Sequence, residues 1–510
     1  MAHDPTSIPA VQPLEEHNRR LLENVHPPAW VNPQPKDRYH LVVIGAGTAG
    51  LVTAAIGAAL GAKVALVERE LMGGDCLNVG CVPSKSILAA ARAWQAARDA
   101  SARYHGPAVA GDGDFAAVME RMRRIRADIS PVDGARRFRD EIGVDVFLGD
   151  GRFVAEDAVE VDGRRLRFHR AVIATGARAA VPPIEGIGGV AYLTNETVFS
   201  LTERPEHLAV IGGGPIGCEL AQAFVRFGAR VTVIDGAPRI LSHDDAEAAE
   251  VVAAALRREG VEILTEARVD SVRQDGAGKT LRVTRGGDSS EIVASHLLVA
   301  AGRAPNVEGL GLEEAGVEYE ARGVAVDERM RTSNPRVYAI GDVASRFQFT
   351  HAADAQARMV VRNALFFGRG RASGLVIPWC TYTTPELAHV GIAPDEVAEA
   401  GDEVETITIP LAEVDRARTD GTTEGFFRVH LKAGSDTILG ATLVAEHAGD
   451  IISQVTQAMT AGTGLGRLGE TIFPYPTTAE VLRKAADAWR RGRLTPTAKR
   501  AFGLFFRARG

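Results

Sequence analysis

The chain has 510 residues, enough for about three domains of ordinary size, and 45% of them are hydrophobic and 24% charged, as in soluble globular proteins. A net charge of −7 argues against a nucleic-acid-binding protein. Four cysteines are too few for a disulfide framework, so we expect a cytoplasmic protein in which any disulfide is catalytic. No basic region followed by an apolar core opens the chain, and no signal peptide is predicted.

The first 37 residues are rich in Pro, Asn, His and charged side chains. A short amphipathic piece surrounds Leu21 and Leu22. A segment of this composition has little apolar surface to bury. We therefore predict an extension that lies on the surface or is poorly ordered.

A buried strand is predicted at residues 41–44, followed by a glycine-rich turn, a helix and a second strand at residues 64–67. Residues 41–62 form an uncharged run that is long enough to span a bilayer. Five glycines interrupt this run, and its pattern changes from β-branched residues to an Ala-rich helix, so a strand, a turn and a helix are favoured. The acid that ends the second strand stands 23 positions after the first glycine. This pattern predicts a dinucleotide site in which glycines admit the pyrophosphate and the acid binds ribose hydroxyls. The candidate residues are Gly45, Gly47, Gly50 and Glu68.

The same unit recurs later in the chain. Residues 208–211 form a predicted strand, a second glycine-rich turn follows, and residues 231–234 form the next strand, again with 23 positions between first glycine and acid. Two such units imply two dinucleotides, each carried by a doubly wound sheet. The candidate residues of the second site are Gly212, Gly214, Gly217 and Asp235.

Residues 73–85 hold two of the four cysteines, Cys76 and Cys81, in a glycine-bracketed turn before an Ala-rich helix. A thiol at a helix N-terminus is partly stabilised as thiolate, and a second thiol within reach makes a reversible dithiol/disulfide couple. A zinc knuckle would need a second Cys/His pair with ligand spacing, which the sequence lacks. A pair of inert buried cysteines would not need so many glycines.

This thirteen-residue stretch resembles the redox-active disulfide segment of the pyridine nucleotide–disulfide oxidoreductases, and the resemblance extends from about residue 38 to about residue 490. It implies an α/β fold with two doubly wound, Rossmann-like dinucleotide-binding domains and a C-terminal α+β dimerisation domain. FAD is expected at the first fingerprint and the nicotinamide nucleotide at the second. The implied divisions are an N-terminal extension (1–37), an FAD domain in two parts (38–190 and 308–375), a nicotinamide domain (191–307), a dimerisation domain (376–490) and a basic amphipathic tail (491–510).

The resemblance also implies roles for single residues. Cys81 is expected beside the flavin and Cys76 as the exposed thiol that attacks the acceptor, with the Lys85–Glu219 pair next to flavin N5. Further flavin contacts are implied by the motifs that contain Thr175, Gly176, Arg303, Gly341 and Asp342. His351, Cys218 and Cys380 are interpreted as structural, the two cysteines as small buried hydrophobic residues.

One motif departs from the common family pattern. Most relatives have a His-Pro-Thr-x-x-Glu segment that is donated across the dimer, and its His serves the thiol chemistry as acid and base. Here Tyr475 stands in place of the His, with Glu480 at the end of the motif. A phenol of pKa about 10 is a poor proton shuttle at neutral pH, unlike an imidazole of pKa about 6.5.

Tyr475 together with Tyr192 resembles the mercuric reductase branch of the family. That branch also has a vicinal cysteine pair at its C-terminus, which this chain lacks. We therefore predict an enzyme, a homodimer, that passes electrons from NAD(P)H through FAD to Cys76 and Cys81 and on to Hg(II) or a related thiophilic metal. The alternatives are a dihydrolipoyl dehydrogenase-like disulfide reductase and a flavin redox sensor without steady turnover.

Two further expectations concern the nucleotide and the tail. Asp235 followed by Gly236 favours NADH over NADPH, because a carboxylate repels a 2′-phosphate, although Arg239 is close in sequence. After Asp487 the chain has no acid and seven basic residues, with Phe502, Leu504, Phe505 and Phe506 as an apolar stripe. This pattern predicts a peripheral contact with an anionic membrane, or with a reader of basic patches, and packing on the protein's own dimer is the alternative.

Overall fold

The computed structural model describes residues 5–111, 113–276 and 278–510, apart from the side chain of Asp402. Residues 1–4 of the predicted extension lie outside this part of the chain. Two compact units are present. The first contains the chain up to Ala237 together with Glu259–Leu375, and the second contains Pro238–Arg258 and Val376–Gly510.

Helices occur in both units. In chain order they are α1 (Glu16–Val25), α2 (Thr48–Ala59), α3 (Gly74–Asn78), α4 (Cys81–Tyr104), α5 (Phe115–Ile129), α6 (Ala135–Arg137), α7 (Pro215–Arg226), α8 (Ala246–Arg258), α9 (Thr350–Leu365), α10 (Pro394–Ala400), α11 (Asp415–Thr419), α12 (Ala448–Thr460), α13 (Leu465–Leu468), α14 (Glu480–Gly492) and α15 (Pro496–Arg507).

Strands also occur in both units. In chain order they are β1 (Tyr39–Ile44), β2 (Val64–Glu68), β3 (Asp145–Leu148), β4 (Gly151–Ala155), β5 (Ala158–Val161), β6 (Arg164–Ile173), β7 (Ala177–Ala179), β8 (His207–Ile211), β9 (Arg230–Ile234), β10 (Val261–Leu264), β11 (Ala267–Asp275), β12 (Gly278–Arg285), β13 (Asp288–Ala294), β14 (His296–Val299), β15 (Arg303–Pro305), β16 (Tyr319–Glu320), β17 (Gly323–Val324), β18 (Val337–Ala339), β19 (Pro378–Thr381), β20 (Glu386–Gly391), β21 (Val404–Pro410), β22 (Phe426–Lys432) and β23 (Ile438–Ala445).

Two parallel arrangements carry the fingerprints. In the larger sheet β3, β2, β1 and β6 run parallel in that order, and β18 pairs with β6 in the same direction. In the smaller sheet β10, β9, β8 and β14 are parallel. Each predicted strand–turn–helix–strand unit is present, as β1–α2–β2 and as β8–α7–β9. The predicted fold class is thereby confirmed, and the uncharged run at residues 41–62 is strand, turn and helix.

The N-terminal extension differs from its prediction. Helix α1 buries Leu21, Leu22 and Val25, and Val11 upstream of it is also buried. These side chains belong to the same apolar core as strands β1 and β2. The expectation of a surface-lying or poorly ordered segment is therefore wrong for this part, because its apolar residues recur at helical spacing and form one face of α1.

The second unit is built on an antiparallel sheet with the order β19, β20, β23, β22 and β21. Helices α12 and α14 pack against this sheet and share its apolar core. Helix α8 packs on β20 and β23 and so groups with this unit, although the predicted nicotinamide domain includes its residues. The predicted domain boundaries stay a prediction. Among the described residues, no helix is both long and apolar enough to cross a membrane.

Candidate active site

The first glycine-rich loop leaves room for a phosphate group. Gly45 has a φ of +99°, and a Cβ there would collide with the carbonyl of Ala174, while a Cβ on Gly50 would collide with the carbonyl of Gly45. Above Gly47, by contrast, a Cβ would meet only the Cα of Gly74, at 3.8 Å. No side chain caps the N-terminus of α2, so its first N–H groups are available to an anion.

The second loop repeats this geometry. Gly212 has a φ of +109° and packs against the carbonyl of Ala300, and Gly217 packs against the carbonyl of Gly212. No atom lies within 4 Å of a Cβ built on Gly214, and no side chain caps the N-terminus of α7. Both loops therefore have the shape and the N–H donors that a dinucleotide pyrophosphate requires.

The acids of the two fingerprints reach their own loops. Glu68 accepts hydrogen bonds from the N–H of Ala46 at 2.6 Å and of Glu70 at 2.8 Å, and its burial raises the pKa of the carboxyl. Asp235 accepts from the N–H of Gly213 at 2.5 Å and of Ala237 at 2.7 Å. Their positions at the ends of β2 and β9 fit ribose contacts, which stay a prediction.

The two cysteines lie on successive helices. Cys76 is in the short helix α3, and Cys81 is the first residue of the 24-residue helix α4. The expected thiol at a helix N-terminus is thus Cys81. Cys81 is exposed and Cys76 is half-buried in this structure, while the expectation that Cys81 faces a bound flavin and Cys76 meets the acceptor stays a prediction.

Several groups favour the thiolate of Cys81. The pKa of Cys81 is lowered to about 6, first by a hydrogen bond with Cys76, although the surrounding protein partly shields the sulfur from water, which opposes this change. The Oγ1 of Thr350 lies 3.3 Å from the sulfur, and the charge of Lys85 acts in the same direction. The hydrogen bond with Cys81 and burial raise the pKa of Cys76. The pair is therefore poised as one thiolate and one thiol.

Lys85 and Glu219, predicted as a pair, are in contact. The Nζ of Lys85 on α4 donates to Oε2 of Glu219 on α7 at 2.8 Å. The Glu219 side chain is 6% exposed, whereas that of Lys85 is 39% exposed. The ion pair thus lies at the edge of the cysteine site, with its carboxylate on the buried side.

Arg303 joins the redox loop (residues 72–81, which include both Cys76 and Cys81) to the predicted flavin-binding segment around Asp342. Its guanidinium pairs with Asp75, which precedes Cys76, and with Oδ2 of Asp342 at 3.3 Å. Burial lowers the pKa of Arg303, but Asp75 and Asp342 outweigh it and raise the pKa. Burial raises the pKa of Asp342, against the effect of Arg303. A further contact involves Thr175, whose hydroxyl donates to the carbonyl of Asn306, three residues after Arg303, at 2.8 Å.

Gly176 and Gly341 lie at turns beside these groups. Gly176 accepts a hydrogen bond from the N–H of Asn306 through its carbonyl, at 3.0 Å, and has a φ of +68°. The N–H of Gly341 donates to Oε1 of Gln356 at 2.8 Å. The structure therefore brings together motifs that the sequence separates by more than a hundred residues.

Tyr192 packs against the apolar core that includes the smaller parallel sheet. Three residues later, Asn195 is buried and donates to the carbonyl of Val79, between the two cysteines, at 3.4 Å. Burial raises the pKa of Glu196, and the charge of Asp75 adds to that effect. The segment around Tyr192 thus contacts the redox loop, while a direct contact of Tyr192 with a thiol stays a prediction.

Tyr475 and Glu480 lie in the second unit. Tyr475 is 72% exposed, and its hydroxyl donates to Oδ2 of Asp415 at 3.1 Å. This hydrogen bond raises the pKa of Tyr475 above its ordinary value. Glu480 is the buried first residue of α14 and pairs with Arg483. The phenol is therefore even less able to lose its proton at neutral pH than a free tyrosine.

The remaining candidate residues have separate places. Cys218 is buried in α7 and donates to the carbonyl of Gly213 at 3.2 Å, as expected of a structural cysteine. Cys380 is only half-buried, on the outer strand β19. His351 is exposed and stacks on the ring of Phe349 at 5.4 Å. Within the described ranges, no group of three or more His, Cys, Asp or Glu side chains could hold a metal ion.

Two residues of the site were missed in the sequence. Thr350 directly precedes His351, and its contact with Cys81 spans 269 positions. Asp75 stands next to Cys76, yet its carboxylate could be assigned a role only once Arg303 was placed beside it. A polar residue at the start of a helix was the one available signal for Thr350.

Two family descriptions match the chain. Residues 39–357 match the pyridine nucleotide-disulphide oxidoreductase family, and residues 377–486 match the dimerisation domain of the same family. A mercuric reductase of Streptomyces lividans is 38% identical over 88% of this chain and 96% of its own length. A dihydrolipoyl dehydrogenase of Thermus scotoductus is 36% identical over 88% of this chain and 97% of its own.

Solved structures agree. The Cu(II) complex of RclA, an HOCl-induced flavoprotein disulfide reductase from Escherichia coli, superposes with a TM-score of 0.77 at 28% identity, covering 87% of this chain and 98% of that one. The chain therefore belongs to the pyridine nucleotide-disulphide oxidoreductase family. It is a flavoprotein oxidoreductase of a family that binds FAD and uses NAD(P)H, and its dimerisation domain supports a homodimer.

Proposed function

We propose that this protein oxidises NADH and reduces a thiophilic metal ion, Hg(II) or a related soft ion such as copper, that reaches it as a thiolate complex. FAD, when bound, would take a hydride from the nicotinamide and pass an electron pair to the Cys76–Cys81 disulfide. The chain's residues would hold the dinucleotides at the two glycine-rich loops and keep the cysteines as a thiolate–thiol pair. The reduced pair would then displace the small thiolates from the metal ion and return to the disulfide, and the two electrons released would reduce one Hg(II) ion or two Cu(II) ions.

The observation that carries this proposal is the state of Tyr475. Its hydroxyl is tied to Asp415 and its pKa is raised, so it is a poor acid and base at neutral pH. Reduction of an organic disulfide must protonate a leaving thiolate, which a His at this position would assist. Displacement of thiolates by metal binding needs no such proton, because a metal-bound thiolate leaves as an anion.

The cysteine pair suits a soft cation. Thiolates are the preferred ligands of soft metal ions. With a pKa of about 6, Cys81 is ionised at neutral pH, so one ligand is ready when the complex arrives. Metal binding would displace the proton of Cys76, because a coordinating thiol is deprotonated by the ion.

The relatives point both ways on the acceptor. Mercuric reductases at 35–38% identity favour a metal, as does RclA, which was solved as a Cu(II) complex. Dihydrolipoyl dehydrogenases at 31–36% identity favour lipoamide as the alternative acceptor. Tyr475, which stands where most relatives have a His, weighs for the metal.

The proposed nucleotide is NADH. Asp235 lies at the end of β9 beside the second loop, where its charge would repel a 2′-phosphate. Gly236, which follows it, offers no cation. Arg239 donates to the carbonyls of Ser242 at 2.8 Å and Asp244 at 3.1 Å, so its guanidinium is engaged within its own unit. These contacts support NADH over NADPH.

The test is an acceptor screen with purified holoprotein. NADH oxidation is followed with Hg(II) in excess small thiol, Cu(II), lipoamide, glutathione disulfide, quinones and oxygen. We expect metal–thiolate turnover to exceed turnover with either disulfide, and to be abolished when Cys76 and Cys81 are both replaced by Ser. Brisk lipoamide reduction without metal turnover would establish the dihydrolipoyl dehydrogenase-like alternative. Single-cycle reduction with every acceptor would establish a redox sensor.

We also propose a peripheral membrane contact through the C-terminal tail. In α15, Phe502, Leu504, Phe505 and Phe506 are 53%, 66%, 49% and 67% exposed. Arginines at either end of the helix supply positive charge, which suits an anionic bilayer surface. Sedimentation with anionic vesicles at low salt should carry the protein down, and replacing Phe505 and Phe506 by Ser should reduce this. Equal recovery of both proteins in the supernatant would contradict the contact.

A further inference from the structure

One buried arginine connects the redox loop to the N-terminal segment. Arg126 on α5 is completely buried. Its guanidinium donates to the carbonyl of Asn78 at 2.6 Å, to the carbonyl of Ala10 at 2.8 Å and to Oδ1 of Asn18 at 2.7 Å. Asn78 lies between the two cysteines, whereas Ala10 and Asn18 precede the first strand of the fold. A single cation thus holds both segments.

The burial of this cation needs a reason. Burial lowers the pKa of Arg126 to about 10, the neighbouring charge of Arg123 adds to this, and Glu15 opposes it. Removing a charged group from water costs free energy of folding, and an apolar side chain of similar size would fill the same space at a lower cost. What an apolar residue cannot supply is a planar set of donors that reaches three acceptors at once.

The N-terminal segment holds the redox loop at a second point. The carbonyl of Val25, the last residue of α1, accepts from the N–H of Met72 at 3.2 Å. The side chain of Asn78 donates in turn to the carbonyls of Met72 at 3.1 Å and Gly74 at 2.9 Å. The loop is therefore fixed at its beginning, through Met72, and between its cysteines, through Asn78.

Apolar packing joins the same elements. Leu21 and Val25 of α1 are fully buried in one core with Leu77 and Val79, the residues on either side of Asn78. Ion pairs outside this core, such as that between Arg20 of α1 and Asp128 of α5, fasten the helices without touching the loop. The contacts to the loop and the contacts between helices are thus separable by substitution.

We propose that residues 5–25 act as a brace that holds the redox loop in place. Arg126 is the positioning residue that links this brace to the backbone between Cys76 and Cys81. A fixed carbonyl at Asn78 sets the distance and direction between the two sulfurs. That geometry decides how readily the disulfide forms and which thiol is accessible. The role does not depend on which acceptor the enzyme uses.

The experiment compares Arg126→Met, Arg126→Lys and the control Arg20→Met in the full-length holoprotein. Three quantities are measured: the disulfide–dithiol equilibrium against NAD⁺/NADH buffers, the alkylation rates of Cys76 and Cys81 by peptide mass spectrometry, and NADH oxidation with a dye that takes electrons without the cysteines. We expect Arg126→Met to change the equilibrium and the ratio of alkylation rates at least fivefold. Dye reduction and FAD content should stay at the level of the unaltered protein.

Arg126→Lys should restore part of the change, because an ammonium keeps the charge but reaches fewer of the three acceptors. If Arg126→Met does not fold, Asn18→Leu decides the matter, since it removes one acceptor on the brace side and leaves the bond to Asn78. It should move the same ratio in the same direction by a smaller amount. An unchanged ratio in the folded variants, a ratio that moves equally in Arg20→Met, or dye reduction that falls in parallel would overturn the proposal.

Discussion

The sulfur of Cys81 lies 3.3 Å from the hydroxyl oxygen of Thr350, so the first residue of helix α4 meets the first residue of helix α9. Two helix N-termini therefore converge on one thiol. Each contributes partial positive charge from its unpaired N–H groups, which favours an anion at that point. The hydroxyl adds a hydrogen bond that the thiolate accepts more strongly than the thiol does.

Thr350→Val should raise the pKa of Cys81. The substitution keeps the shape of the side chain and removes the hydroxyl that lowers this pKa. We expect the midpoint of Cys81 alkylation by iodoacetamide, in the reduced protein, to move upward from about pH 6 by about one unit, which corresponds to about 1.4 kcal/mol. Thr350→Ser, which keeps the hydroxyl, is the control and should leave the midpoint in place.

The two members of one ion pair should shift this pKa in opposite directions. The charge of Lys85 lowers the pKa of Cys81 and that of Glu219 raises it. Lys85→Met should therefore move the alkylation midpoint upward, and Glu219→Gln should move it downward, each by a few tenths of a pH unit. Lys85→Met also removes the ammonium that pairs with a buried carboxylate, so a loss of thermal stability is expected in that variant. Shifts of the same sign in both variants would contradict the assignment.

The two cysteines should give different spectra when replaced singly. If Cys81 faces the flavin, Cys81→Ser abolishes the long-wavelength thiolate–flavin absorbance of the two-electron-reduced holoprotein, whereas Cys76→Ser keeps it. The lowered pKa of Cys81 supports this order, because that absorbance requires a thiolate at neutral pH. The reverse result would exchange the two roles. It would also fit the greater exposure of Cys81.

Spacing in the sequence predicted the scaffold well. Both dinucleotide loops could be predicted because the glycines, the helix and the acid recur at fixed intervals within about 25 residues. A β–α–β unit of this length is specified by its own local sequence. The contact of Lys85 with Glu219 was expected from the resemblance alone. Contacts such as Cys81 with Thr350 join remote segments, and no local pattern indicates them.

The N-terminal segment shows why composition can mislead. Averaged over 37 residues, Pro, Asn, His and charges dominate, and the segment is polar. The four apolar residues that decide its placement are Val11, which precedes α1, and Leu21, Leu22 and Val25, which lie on one face of that helix. Burying them requires a groove that the rest of the fold provides. Arg126 could not be recognised either, because a buried arginine is indistinguishable in sequence from a surface one.

Gly236→Arg should shift the nucleotide preference toward NADPH. No atom lies within 4 Å of a Cβ built at this exposed position, so a larger side chain fits, and a guanidinium there could bind a 2′-phosphate. We expect the ratio of kcat/KM for NADPH to that for NADH to rise about tenfold from a starting value below one. Gly236→Gln, similar in reach and uncharged, is the control. A starting ratio at or above one would refute the proposed preference for NADH.

Tyr475→His should add disulfide reduction to the enzyme. An imidazole near its ordinary pKa of about 6.5 can give a proton to a leaving thiolate, which the phenol held by Asp415 cannot do. We expect lipoamide turnover to rise at least tenfold, while turnover with Hg(II) in excess small thiol changes less than twofold.

The pH profile distinguishes a proton shuttle from a change in packing. In Tyr475→His, lipoamide reduction should follow the protonation of the imidazole and fall as the pH rises above its pKa. The carboxylate of Asp415 would favour the charged imidazole, so that pKa should lie above its unperturbed value. Tyr475→Phe removes the hydroxyl without adding a shuttle and should leave both activities near their original ratio. If Tyr475→Phe abolishes metal turnover, the phenol itself takes part in the metal step, and its inertness can no longer be the basis of the acceptor preference.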